Sequence, residues 1–170
     1  MPITLNGDGA ISGLTATGIS AVQNVGRANL PAGSVLQVIN ATYSVSTSTT
    51  SSSYQPTGLT ASITPTSASN KILIITGGCD AATVSPSSGV KLALFKNTTL
   101  ITQYTNNIPY QGTGGSFYIT GAPSITYLDS SATTSSVSYS VYFAAQTGGT
   151  TVTMQRDNTT ATITLMEIAA

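Results

Sequence analysis

Along most of this chain, apolar and polar residues alternate with the period of two that sends successive side chains to opposite faces of a pleated strand. In residues 136–145, Val137, Tyr139, Val141 and Phe143 share one face while Ser138, Ser140 and Tyr142 share the other. Leu59, Ala61 and Ile63 alternate with Thr60, Ser62 and Thr64 up to Pro65, which predicts a half-buried strand. Residues 71–76 form an unbroken apolar run ending in Gly77-Gly78, the pattern of a central strand covered on both faces. Further strands are predicted at 35–43, at 90–96 and 99–105 around an Asn97-Thr98 turn, and at 116–120 and 124–128 around Gly121-Ala122-Pro123. The chain closes with 150–155, a polar turn at Arg156-Asp157-Asn158, and 162–168, so its end is expected inside a sheet. The Ser/Thr run at 44–53 has no periodic apolar face and predicts an exposed edge or a long loop.

About nine strands with turn signals every eight to twelve residues, and no long helical pattern between them, predict an all-β fold. The expected architecture is an antiparallel β-sandwich of jelly-roll type. Residues 34–170 form this body, and residues 1–33 form a short extended N-terminal arm. In the arm, Ile3-Thr4-Leu5 and Ala10-Ile11-Ser12 flank Asn6-Gly7-Asp8-Gly9, where Asn-Gly and Asp-Gly tolerate the positive φ of tight hairpin turns. Residues 20–29 suit one or two helical turns with Ser20 as N-cap, and Pro31-Ala32-Gly33 punctuates. A hairpin with so few apolar residues holds no core of its own and must pack on the body, on sister copies or on another surface.

Composition agrees with the β pattern. Ser and Thr supply roughly a third of the residues, well above ordinary usage, while the apolar fraction of 40% is enough for a core. Only 6% of residues are charged and the formal net charge is zero, so there is no basic field to hold nucleic acid or an anionic membrane. So neutral a surface does little to keep free copies apart, which favours an assembled state. No segment approaches the length of a membrane span, and the first residues lack the pattern of a secretory signal, so release by lysis is the expected exit. The single cysteine, Cys79, forms no intrachain disulfide and is expected buried behind the 71–76 strand.

Candidate chemistry is sparse. The chain has no histidine, which removes the commonest general base. Asp8, Asp80, Asp129 and Asp157 fall in predicted turns and Glu167 is expected as a solvated strand charge, so spacing offers no glycosidase-type pair. Asn6-Gly7-Asp8-Gly9 lacks the remaining oxygens of a calcium loop, and Gly112-Thr113-Gly114-Gly115 lacks the lysine and helix of a phosphate cradle. Asn40, Asn97 and Asn158 match the glycosylation acceptor pattern at a frequency that Thr and Asn richness explains. Tyr104, Tyr110, Tyr118 and Tyr127 cluster in mid-chain, where they suit either packing or a glycan-stacking platform.

The opening Met1-Pro2-Ile3-Thr4-Leu5-Asn6-Gly7-Asp8-Gly9-Ala10-Ile11-Ser12-Gly13-Leu14 resembles that of tail-fibre and virion structural proteins of marine and freshwater tailed phages, cyanophages included. Leu30-Pro31-Ala32-Gly33-Ser34-Val35-Leu36-Gln37-Val38, the stretch from Leu59 to Leu73, and the ending Met166-Glu167-Ile168-Ala169 resemble the same group. The resemblance implies a β-sandwich displayed on the virion surface, made in the host cytoplasm, usually trimeric, with the arm mediating attachment or intertwining. A single short arm and one body favour a capsid decoration (cement) protein over the longer, repeated build of a tail fibre. The expected partners are sister copies in a homotrimer and the major capsid protein or other virion proteins, contacted through Ile3, Leu5, Ile11, Leu14 and Ile19. The alternative is a short tail fibre or receptor-binding tip that takes a host glycan at Tyr104, Tyr110 and Tyr118. Neither reading calls for catalysis, a cofactor, a metal, nucleic acid or membrane insertion.

Overall fold

The computed structural model describes residues 30–83, 88–108, 110–111 and 119–170, with backbone alone at 110–111. The arm contacts, the hairpin expected at 3–12, the helical turns expected at 20–29, and residues 116–118 of one predicted strand lie outside these residues. In chain order the strands are β1 (Val35–Tyr43), β2 (Thr47–Thr49), β3 (Gln55–Ile63), β4 (Lys71–Gly77), β5 (Ala81–Thr83), β6 (Ser88–Lys96) and β7 (Thr99–Thr105). They continue as β8 (Tyr110–Gln111), β9 (Ile119–Gly121), β10 (Ile125–Ser130), β11 (Val137–Ala145), β12 (Val152–Met154) and β13 (Ala161–Ile168).

The eight longer strands make two sheets, ordered β1-β13-β4-β10 and β3-β11-β6-β7, with β8 pairing the start of β6. Every ladder is antiparallel. Counting the long strands one to eight along the chain, the sheets read one-eight-three-six and two-seven-four-five. That is the double Greek key of a jelly roll, so the predicted β-sandwich is observed. The short strands form a third sheet, β2-β12-β5-β9.

Pleat alternation delivers one face of each large sheet to the core. Ile72 and Ile74 of β4 and Ile163 and Leu165 of β13 are fully buried, and join Leu59, Leu92, Leu94, Val141 and Phe143 in one apolar cluster. The predicted face of β11 is correct: Val137, Tyr139, Val141 and Phe143 are buried and Ser138, Ser140 and Tyr142 half-exposed. The C-terminal strand is also inside a sheet, between β1 and β4.

Three expectations need correction, and one open alternative is decided. The run 71–76 is not covered on both faces, because Leu73 and Ile75 point outward and are half-exposed. Within 44–53 the edge alternative is the one observed, residues Thr47–Thr49 pairing with β12 as an edge strand. Asp129 lies in β10, with no turn there. Glu167 is wholly buried. The short strand β5 escaped prediction because Ala-Ala-Thr has neither alternation nor strong β preference.

Gly58 and Gly78 are required by geometry. Gly58 has φ +97 at the irregularity where β3 slips against β11, and Tyr43 lies where its Cβ would be. Thr57 holds the bulge, its Oγ1 donating to the Val141 carbonyl (2.8 Å) and accepting from Leu59 N–H (3.1 Å). Gly78 has φ +65 and a Cβ there would overlap the Thr160 carbonyl oxygen. Gly78→Ala is expected to destabilise the body by about 1–3 kcal/mol in urea unfolding; an unchanged midpoint would show that the turn relaxes freely.

Candidate interaction surfaces

One carboxylate, Glu167, is buried in the sandwich and a second, Asp129, is half-buried on the edge strand β10. Glu167 Oε1 accepts from Thr66 N–H (2.6 Å), Thr66 Oγ1 (2.8 Å) and Asn70 Nδ2 (2.7 Å), while its Oε2 accepts from Gln37 Nε2 (2.6 Å). Burial pushes this carboxyl up, but the hydrogen bonds from Asn70, Gln37 and Thr66 together outweigh it and hold it below the ordinary carboxylate value. Asn70 extends the clamp: its Oδ1 accepts from the Ala170 N–H (3.1 Å) and its carbonyl from Ser131 Oγ (3.2 Å). Asp129 Oδ2 pairs with Lys96 Nζ (2.7 Å) and accepts from Tyr139 Oη (2.7 Å), joining the two sheets. Burial, then the bond to Asp129, raises the Tyr139 phenol far above its ordinary value.

Asp129 and Glu167 both pair with Ile72, so one strand separates them in a single inward row, roughly 10 Å across two strand spacings. Both Glu167 oxygens and Asp129 Oδ2 meet the structural donors just named, whereas a glycosidase pair flanks a substrate cleft. Asp80 and Asp157 lie apart from this row, in the loop before β5 and the turn before β13. Among the described residues no group of three His, Cys, Asp or Glu could hold a metal ion.

The outward face of the β1-β13-β4-β10 sheet carries an apolar row between rows that mix apolar and polar residues. Val38, Met166, Leu73 and Leu128 stand side by side on four neighbouring strands. Val35 and Ile168 precede them in the next row and Ile75 follows in the row beyond. Val35, Val38 and Leu128 are 50%, 53% and 56% exposed. Lys71 is the one charge in these rows, and its Nζ donates to Ser130 Oγ (2.6 Å). Three strand spacings of about 4.8 Å make the row about 14 Å wide, a contiguous patch of the kind that marks an interaction site.

The outward face of the other sheet is aromatic and hydroxylated. Phe95 stacks on Tyr142 (centroids 4.1 Å, planes 26° apart) and takes the edge of Tyr54 (5.8 Å, 70°). Lys91 Nζ lies 5.7 Å from the Tyr54 ring centre and donates to the Ser52 carbonyl (2.8 Å). Beside the stack, the Gly58 bulge opens a shallow depression of about 130 Å³ lined by Pro56, Gly58, Leu59, Thr60, Ser140, Val141 and Tyr142. Thr60 Oγ1 and Ser140 Oγ lie 2.8 Å apart on it.

No family model matches this chain. No curated protein matches it either. Among solved structures it is similar to a mutant VP2 protein of infectious bursal disease virus in derived T=1 particles, at 13% identity and a TM-score of 0.32. The match covers 81% of this chain and 37% of that one, so the chain spans well under half of VP2. A likeness this distant says nothing of what the chain does.

The sites expected from sequence are placed as follows. Ile3, Leu5, Ile11, Leu14 and Ile19, and the side chains of Tyr110 and Tyr118, lie outside the described residues. Tyr104 packs against the core with its hydroxyl buried beside Cys79, and burial raises both groups. Tyr127 also packs on the core. Cys79 is buried, as expected. Asn97 has φ +53 in the β6–β7 turn, and its Oδ1 accepts from Ser138 N–H (3.1 Å), a local role for one acceptor-pattern asparagine. The apolar outer row had a signal, since an unbroken run at 71–76 calls for cover on both faces. The aromatic stack had none, because Tyr54, Phe95 and Tyr142 are remote in sequence and meet through strand pairing.

The Glu167 clamp gives the body an acid limit. A carboxyl held below its ordinary value of 4.5 contributes its full stability above that pH and loses it as pH falls through the depressed folded value. The urea midpoint is expected to fall between about pH 5 and about pH 3, and Glu167→Gln to be less stable at neutral pH with a shallower acid decline. A variant with the wild-type slope would remove Glu167 from this role.

Proposed function

We propose that this chain is a non-enzymatic structural protein of a virus particle, displayed on the particle surface as a homo-oligomer. In its specific form it is a trimeric decoration protein on a tailed-phage head, anchored through residues 1–33. One observation carries the reading: a nearly uncharged body presents a four-strand apolar row outward, and such a surface calls for a permanent partner. Sister copies and the major capsid protein are the partners that fit. The jelly-roll architecture, which recurs in viral capsid domains, is compatible by analogy of fold alone. The commitment of Asp129 and Glu167 to interior hydrogen bonds supports a role without catalysis, cofactor or metal. The scarcity of charge speaks against nucleic acid, and among the described residues no helix is long and apolar enough to cross a membrane. Synthesis in the host cytoplasm followed by incorporation into the virion completes the reading.

A short tail fibre or receptor-binding tip is the second reading, favoured by the aromatic depression on the opposite face.

Cryo-EM of intact virions separates the two, with regular density over the head expected and density confined to the tail overturning the decoration reading. Deleting residues 1–29 is expected to abolish capsid binding while circular dichroism still reports the β body; retained binding would exclude the arm as anchor. Val38→Glu with Leu128→Glu is expected to weaken assembly at least about tenfold in sedimentation, since each buried apolar side chain contributes about 1.5–3 kcal/mol. Unchanged assembly would show that the row is not an interface.

A further inference from the structure

We propose that the outer edge of β1 is a self-association surface, where β1 of a second copy adds antiparallel and joins two β1-β13-β4-β10 sheets into one. The inference rests on the homo-oligomer reading only for its partner, and it names a contact distinct from the apolar row.

The argument begins with the backbone. A strand at the end of a sheet points alternate N–H and C=O groups away from its neighbour, and the natural complement of that line of groups is another strand edge. Among the described residues β13 is the one strand that pairs with β1.

The other sheet ends are guarded. β3 carries Pro56 and the positive-φ Gly58 at its bulge. β7 shifts register twice against β6. On β10, Asp129 pairs with Lys96 and Ser130 Oγ accepts from Lys71 Nζ. β2 and β9 are three residues each. Proline, bulges, charge and shortness are the devices that keep edges from pairing. β1 has one irregularity, at its start between Val35 and Gln37. From Gln37 to Tyr43 its register is unbroken, with no proline, glycine or charged residue.

Side chains favour its own copy as the occupant. Val38, Asn40 and Thr42 are exposed on the outer face, while Ile39, Ala41 and Tyr43 are half-buried against the core. An uncharged strand meets no like-charge repulsion when it faces itself. A two-fold pairing that keeps outward residues outward and uses the whole regular stretch sets Asn40 opposite Asn40, and Val38 opposite Thr42. Such a contact is isologous. It leaves the apolar row of each copy facing outward and other faces of the chain free for three-fold contacts.

The test uses the purified full-length chain, and Cys79 is buried, so an introduced exposed thiol is the reactive one. Directly opposed residues have Cβ atoms about 4.5–5.5 Å apart, so Asn40→Cys is expected to give a dimer with a short thiol cross-linker. Leu128→Cys stands about 34 Å from its counterpart across seven strand spacings and is expected to give none. Mixtures of Asn40→Cys with Val38→Cys or with Thr42→Cys cover the registers shifted by two residues, and a link in any of the three supports the edge. Asn40→Lys sets like charges opposite each other and leaves the apolar row untouched; in sedimentation it should weaken association at least about tenfold. Leu128→Lys should leave the dimer intact. An associated chain with none of these links overturns the edge while the homo-oligomer reading stands, whereas a chain that stays monomeric removes both. Equal weakening by Asn40→Lys and Leu128→Lys would show copies meeting through the apolar face, and would also overturn the edge.

Discussion

The apolar contact between the inward faces of the two large sheets is the constraint from which the remaining features descend. Each strand must send alternate residues into that contact, and a slip of one residue reverses every side chain it carries. In β13 such a slip would expel Ile163, Leu165 and Glu167 together and turn Thr162, Thr164 and Met166 inward. Fully burying side chains of this size is worth about 1.5–3 kcal/mol each, so the penalty for a wrong register is large. Central positions in the sheets make it larger, since β13 is bound by β1 and β4 and β11 by β3 and β6.

Within that apolar interior the polar inclusions act as locators. Glu167 finds all its donors only when β1, the turn after β3, and β13 are in register, because Gln37 and the turn that holds Thr66 and Asn70 are remote from it in the chain. Asp129 does the same between the sheets, drawing Lys96 from β6 and the Tyr139 hydroxyl from β11. A carboxylate left without these partners in the interior is costly, so misregistered packings are penalised more than the hydrogen bonds stabilise the native one. The clamp also fastens the chain end, through Asn70 to the Ala170 N–H.

The two outer faces carry different chemistry. One carries a four-strand apolar row with a single tethered lysine in the row beside it, the kind of surface that marks an interaction site. The other combines stacked rings, paired hydroxyls and a shallow opening at a bulge. With so few charges on the chain, neither face offers long-range electrostatic steering.

The local pattern by itself determined the β class, most of the longer strands, the inward face of β11, the Asn97 turn, and the burial of Cys79. All of these follow from the two-residue period and from turn preferences, which act over a few neighbouring positions. What only the tertiary structure decided is what depends on which strands become neighbours. Glu167 looks like a solvated charge in its strand until Gln37, Thr66 and Asn70 are brought to it. The run at 71–76 looks buried on both sides until the fold covers just one of them. Tyr54, Phe95 and Tyr142 come together only because β6 pairs with β11 and Tyr54 immediately precedes β3 alongside. Non-local pairing sets these environments, and residue order along the chain carries no direct record of them.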